Sequence, residues 1–254
     1  MKLLKSGTAS AFVFLVISFA IFTYYLYRSV RGKAPRIRTI PGLEAFKEVI
    51  GRAVETGRPV YYSTGVGRLT GGDMSMTVAG LSLLGYAAQL SSSYGARFHY
   101  IAAAAPEVVP IAEDMIKTAY RENYREDQIT YVPSQPALKS TVAGTYERER
   151  PAANFVLGAL YWETVVLCEA GARAGAMQIG GTGRLYQVPF IASLCDFSLI
   201  GEELLAAGAY VSKELAMLGS IQASDVLRAV IVGLSILIML GSILRVNIPQ
   251  LLGM

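Results

Sequence analysis

The sequence predicts an α/β domain built on a doubly wound, mostly parallel sheet of Rossmann-like type, with one transmembrane helix on each side of it. Three observations lead there. Short apolar runs alternate with longer helical stretches between residues 60 and 218, the pattern of strands joined by crossover helices. An uncharged run over residues 7–27, rich in Phe, Ile, Val and Leu, would cover about 32 Å as a helix, enough to cross a bilayer's hydrocarbon core. A second apolar run, residues 229–244, is bracketed by Arg228 and Arg245; it gives about 24 Å of helix and spans if those arginines snorkel.

The predicted layout is an anchor over residues 1–28, a basic linker over 29–42, the α/β domain over 43–220 and a second transmembrane helix over 226–246. Lys2 and Lys5 precede the first apolar run, as in a signal peptide. Its end, Phe22-Thr23-Tyr24-Tyr25-Leu26-Tyr27, has the bulky aromatics of an interfacial belt, not a small-residue cleavage site. An uncleaved anchor is expected. Five cations follow, from Arg28 to Arg38. Their excess over Lys2, Lys5 and the amino terminus predicts a cytoplasmic domain.

The elements follow in order. Ile40-Pro41-Gly42 makes a turn. Leu43, Phe46, Val49, Ile50 and Val54 then form one apolar stripe, closed by Gly57, which predicts a helix. Val60-Tyr61-Tyr62 reads as the first strand, leading into a glycine-rich turn that ends at Asp73. Residues 74–94 carry no charge. Their serines, Thr77 and Gln89 favour a helix buried in the domain over a further membrane span. A second strand is predicted over 97–102, a helix from Pro106 and a third strand over 128–132. Residues 133–150 read as irregular and polar, and a helix is expected from about 152 to 172. A fourth strand covers 176–179, a fifth 188–192, and a last helix 198–218.

Composition narrows the function classes. The chain has 254 residues, 53% of them hydrophobic, and a net charge of +4. No basic face interleaved with aromatics appears beyond the linker, so nucleic acid is not an expected partner. Cys168 and Cys195 form no C-x-x-C pair, and His99 is the single histidine. No metal site is expected, and the two thiols read as buried. No glycosylation acceptor occurs, which fits a reducing compartment.

Several separated stretches carry a resemblance. Ile40-Pro41-Gly42-Leu43-Glu44-Ala45, Gly57-Arg58-Pro59-Val60, Pro151-Ala152-Ala153-Asn154-Phe155, residues 175–182, Cys195-Asp196 and Leu199-Ile200-Gly201-Glu202-Glu203-Leu204 match in order. Over residues 39–220 the chain resembles an uncharacterised family of prokaryotic membrane-anchored proteins, a domain of unknown function. The resemblance implies an anchor–domain–anchor layout and brings no activity.

Ligands of open parallel sheets bind beyond the carboxyl ends of the strands. Gly65, Gly67, Arg68, Gly71 and Gly72 follow the first strand; Gly180, Gly181 and Thr182 follow the fourth. Glycine allows close backbone approach and converging N–H groups for an anion. Thr70 stands where G-x-G-x-x-G needs its third glycine, and no P-loop occurs. Asp196 and Glu202 are candidates for the same edge, and Asp73 for capping the following helix. Glu163 and Glu169 fall on different helix faces, with Arg173 placed to pair with Glu169. No catalytic signature and no cofactor motif emerge. The leading expectation is therefore a membrane-tethered binding or assembly module, a subunit of a membrane complex or a homo-oligomer. An enzyme or sensor of a small anionic or nucleotide ligand is the second reading, and a polytopic membrane protein the third.

Overall fold

The computed structural model describes residues 9–31 and 40–243. These divide into two compact units, one within residues 37–212 and one made by the two terminal helices.

The first unit is a six-stranded, all-parallel sheet in the order β3-β2-β1-β4-β5-β6. Its strands are β1 Val60–Gly65, β2 Phe98–Ala103, β3 Ile129–Val132, β4 Ala153–Ala159, β5 Met177–Thr182 and β6 Phe197–Ile200. The helices are α2 Pro41–Thr56, α3 Met74–Ser93, α4 Val109–Tyr120, α5 Gln135–Glu149, α6 Glu163–Ala174, α7 Val188–Leu194 and α8 Glu202–Ser212. α2, α3, α4 and α8 cover one face, and α5, α6 and α7 the other. Each face has its own apolar core. One is centred on Phe46, Tyr62, Leu84 and Phe155, the other on Tyr61, Val156, Leu167 and Ile191. The order reverses between β1 and β4, which opens a crevice at their carboxyl ends.

Local chemistry explains the elements. α2 starts with Pro41 in its first turn and stops at Gly57, whose φ of 65° suits glycine. Leu43, Phe46, Val49, Ile50 and Ala53 are its buried stripe. The uncharged 74–94 stretch becomes α3, an interior helix. A Cβ on its Gly80 would sit 2.4 Å from the Leu157 carbonyl of β4, and a Cβ on Gly208 of α8 would sit 2.8 Å from the Cα of Ala79. α3 is thus clamped between sheet and α8 with no room for charge. That burial removes the reading of this segment as a further span.

Four expectations need correction. Residues 152–172 are not one helix: β4 comes first, and α6 begins at Glu163. β4 is buried along its whole length, on both faces, and apolar apart from Asn154, so it lacks the alternation that marks a half-exposed strand. Residues 135–149 are the helix α5, not irregular chain; Ser134 accepts from the Ala137 N–H at its start. Only Leu138, Val142 and Tyr146 of α5 are buried, so its apolar signal is thin. Residues 188–192 lie in α7, not a strand, and 198–218 split into β6, α8 and the start of the next helix.

The second unit pairs α1 Ala9–Val30 with α9 Leu215–Ile243. Both are long and apolar enough to cross a membrane. α9 is 29 residues long, well beyond the run at 229–244. The Ser29 hydroxyl donates to the Leu215 carbonyl at 2.5 Å. A Cβ on Gly219 would meet the Cβ of Ser29 at 2.9 Å. The carboxyl end of α1 therefore lies against the amino end of α9. Lys2 and Lys5, the linker cations Lys33, Arg36 and Arg38, and Arg245 lie outside the described residues.

Candidate functional site

The chain folds so that three loops meet at the crevice between β1 and β4. The loop after β1 carries Gly65, Val66, Gly67 and Arg68 and ends at Asp73, next to the start of α3. Tyr161 and Glu163 connect β4 to α6. Thr182 is the last residue of β5, and Arg184 and Tyr186 follow it. Gly65 has a φ of 73°, and a Cβ there would press on Glu163 Oε1 at 2.8 Å. A Cβ on Gly67 would strike the Cβ of Ala159 at 2.5 Å and Thr77 Oγ1 at 2.6 Å. These two glycines let β1's exit loop lie directly on β4 and α3.

Asp73 is the centre of a polar cluster. The Tyr161 hydroxyl lies 3.0 Å from each of its carboxylate oxygens. Arg184 donates through Nη2 to Asp73 and Tyr161, and through Nη1 to the Tyr186 hydroxyl at 3.0 Å. Its guanidinium also lies over the Tyr161 ring, 4.0 Å from the centroid. The Arg184 and Asp73 side chains are only 20% and 15% exposed. Partial burial opposes the Arg184 charge, but Asp73, Tyr161 and Tyr186 outweigh it and hold its pKa above the ordinary value. Burial, with the Asp73 carboxylate, pushes Tyr161 up. Asp73 makes no side-chain cap on α3, contrary to expectation. Its carboxylate is drawn to Arg184 instead.

Glu163 is fully buried. Its Oε1 accepts from the Tyr161 N–H at 2.9 Å and the Val66 N–H at 3.3 Å, tying the β1 and β4 loops together. Burial raises its pKa, while the backbone donors pull it back in part. Its second oxygen, Oε2, has no partner. Neither do Thr77 Oγ1 in the first turn of α3, Arg184 Nε, or Gln187 Oε1 in the loop after β5. Among the described residues these are four of six such atoms. Each buried orphan costs about 1–3 kcal/mol, and these four share the carboxyl edge of the sheet. They offer acceptors at Glu163 and Gln187, a donor at Arg184, and a hydroxyl at Thr77 that can do either.

The sequence-predicted residues scatter. Gly65 and Gly67 line the crevice; Arg68, Gly71 and Gly72 lie on its exposed rim. Gly180 and Gly181 are inside β5, not in a turn after it. A Cβ on Gly180 would hit Cys195 Sγ at 2.5 Å, and one on Gly181 would hit Leu157 Cδ2 at 2.7 Å, so their smallness serves packing. Thr182 ends β5 and accepts from the Arg184 N–H at 3.3 Å. Asp196 precedes β6 and accepts from the Gln178 N–H at 2.7 Å, which places it on the amino-terminal edge, away from the crevice. Its assignment to the carboxyl edge followed from reading residues 188–192 as a strand. Glu202 opens α8 at the carboxyl edge and is exposed. Arg173 and Glu169 pair at 2.5 Å on the surface, as expected. The cluster partners Tyr161 and Arg184 had no motif to reveal them.

Besides a groove of about 540 Å³ between α3 and α4, two grooves lie elsewhere. One, of about 450 Å³, is lined by Arg97, His99, Arg125 and Asp127 at the amino edge. There His99 stacks on Tyr61 and Arg125 pairs with Asp127, so those groups are already engaged. The other, of about 700 Å³, runs between α5 and α6. Neither gathers orphaned polar atoms, and the crevice between β1 and β4 remains the candidate site.

Fold and site together define an α/β protein with a parallel sheet, a polar cluster at its switch point and two helices of membrane-spanning length. The chain belongs to a domain-of-unknown-function family (DUF6754), whose model matches residues 1–251. No curated protein and no solved structure matches it.

Proposed function

We propose that this protein is a membrane-tethered binding module that takes a small polar ligand at the carboxyl edge of its sheet. The observation that carries this reading is the set of orphaned buried atoms on Thr77, Glu163, Arg184 and Gln187 around the β1–β4 crevice. A fitting ligand presents an acidic or carbonyl oxygen to Arg184 and the amino end of α3, and a hydroxyl or amino donor to Glu163. The carboxyl end of β2 is Ala102-Ala103, with no acid to hold a ribose, so a dinucleotide is not favoured. α1 and α9 serve as the tether, and the domain stands on the cytoplasmic side.

A thermal-shift screen of nucleotides, sugar phosphates and amino acids on the full chain in detergent tests the reading. One class stabilises the wild type, and Arg184→Gln and Glu163→Gln remove that stabilisation. No stabilisation by any of them at millimolar concentration, or equal stabilisation of both variants, overturns it. Alkaline extraction of membranes tests the tether: release of the chain into the supernatant rules it out.

A second reading is assembly, as a homo-oligomer or with other membrane subunits. Met74, Trp162, Leu185, Tyr186 and Phe190 are exposed around the same edge, Leu185 at 84%. Such grouped apolar surface suits a protein partner. Mass photometry of the solubilised chain decides it; a monomer without a co-purifying partner counts against it.

A further inference from the structure

Two cysteines in 254 residues meet in the fold. Cys168 lies in the middle of α6 and Cys195 at the end of α7, and their sulfurs are 3.6 Å apart. Both are free thiols; Cys168 is buried and Cys195 is partly exposed. The expectation of two buried thiols holds only for Cys168. A disulfide needs about 2.05 Å between sulfurs, so side-chain rotation through roughly 1.5 Å closes the gap. Cys195 also sits on Gly180, whose missing Cβ leaves room for the sulfur: a methyl there would stand 2.5 Å from it.

We propose that Cys168 and Cys195 are a dithiol modification site, oxidised to an intrachain disulfide by low-molecular-weight disulfides of the glutathione type. Access sets the order of events. Of the two thiols only Cys195 can be reached from solvent, and its Sγ lies 3.6 Å from that of Cys168. The hydrogen bond with Cys195 and burial both push the Cys168 thiol up, which keeps it protonated until its neighbour has reacted. The Cys195 sulfur gives up its proton and attacks one sulfur of the reagent disulfide. A Cys195 mixed disulfide forms, and the first small thiol leaves with a proton. Cys168 then gives up its proton and attacks Cys195 Sγ, expelling the second small thiol. The protein loses two hydrogens and two electrons; the reagent disulfide gains both and becomes two thiols. The product fastens α6 to the corner between α7 and β6. Glu163, which ties the crevice loops, is the first residue of that same helix. This inference is independent of whether a ligand binds there.

The full chain in detergent is reduced, freed of reductant, exposed to oxidised glutathione and alkylated, and its intact mass is read. The expected result is that both alkylation sites disappear together, without adduct, and return on reduction. Peptide mapping shows residues 168 and 195 linked within one chain. Cys168→Ser stops at one glutathione on Cys195, and Cys168→Ala, which keeps the site apolar, gives the same adduct if the serine variant does not fold. Cys195→Ser takes up none. The proposal is overturned if both wild-type thiols stay alkylatable, if the wild type retains glutathione on Cys195, or if links form only between chains.

Discussion

Asn154 sits at the centre of the sheet and is fully buried. It accepts from the Tyr146 hydroxyl at 2.8 Å and donates to Gln178 Oε1 at 2.7 Å and the Leu167 carbonyl at 3.1 Å. Gln178 passes its own amide N–H to the Leu194 carbonyl at 2.9 Å. This satisfied chain fixes α5, α6 and α7 on β4 and β5. Asn154→Ala strands the Tyr146 hydroxyl and Gln178 Oε1, and is expected to lower stability by about 2–4 kcal/mol, read as a reduced urea midpoint. Glu163 gives the opposite lesson. Its folded pKa stands above the unfolded value near 4.3 because burial disfavours its charge. The folded chain then holds more protons than the unfolded one between those two values. Stability from this group is complete below the unfolded pKa and falls as pH rises through the folded one. A melting series from about pH 4 to about pH 8 should show that decline in the wild type, and a smaller one in Glu163→Gln. Equal slopes would place the shift elsewhere.

Among the elements, α3 depends most on the absence of side chains. Gly80 and Gly208 set its distance from β4 and α8. Gly80→Ala forces a methyl into the Leu157 carbonyl and should cost about 1–3 kcal/mol, measured by thermal melting; a neutral result would mean α3 rides higher than described. This scale also shows what the sequence could convey. β1, β2 and β3 were legible because each is a short apolar run ended by turn residues, and β5 was legible in its first half. α2 was legible through its stripe, and α4 through the proline expected to open a helix. β4 was not: burial on both faces removes the period of two, and Ala and Leu suit a helix as well. The misplacement of α7 and β6 carried Asp196 to the wrong edge, and ending β5 at Ile179 turned Gly180 and Gly181 into an imagined loop. The glycine turn after β1 was found correctly, since Gly65 needs its positive φ. The charged cluster was not, because Asp73, Tyr161 and Arg184 are far apart in sequence and only the strand order unites them.

For the molecule as a whole, each unit should stand alone. All six strands and both cores fall within residues 37–212. That fragment is expected to fold without the terminal helices and to melt in one cooperative step, followed by circular dichroism. A fragment that stays insoluble would show that the sheet needs the helices. In the other unit, Gly219→Leu should push α1 from α9 by crowding Ser29 and Tyr25. Pairing in lipid rests on such close contacts, and the loss is expected to be about 1–2 kcal/mol, seen as weaker crosslinking between cysteines placed on the two helices.

The strand order also sets the timetable of synthesis. β1, β2 and β3 emerge from the ribosome first and pair among themselves, but the other side of β1 belongs to β4, which comes only after α5. Until then the nascent chain carries a naked β1 flank with every backbone group ready to recruit a foreign strand. Translation halted just past α5 would yield the species most in need of a chaperone, while a halt past β4 would seal that flank.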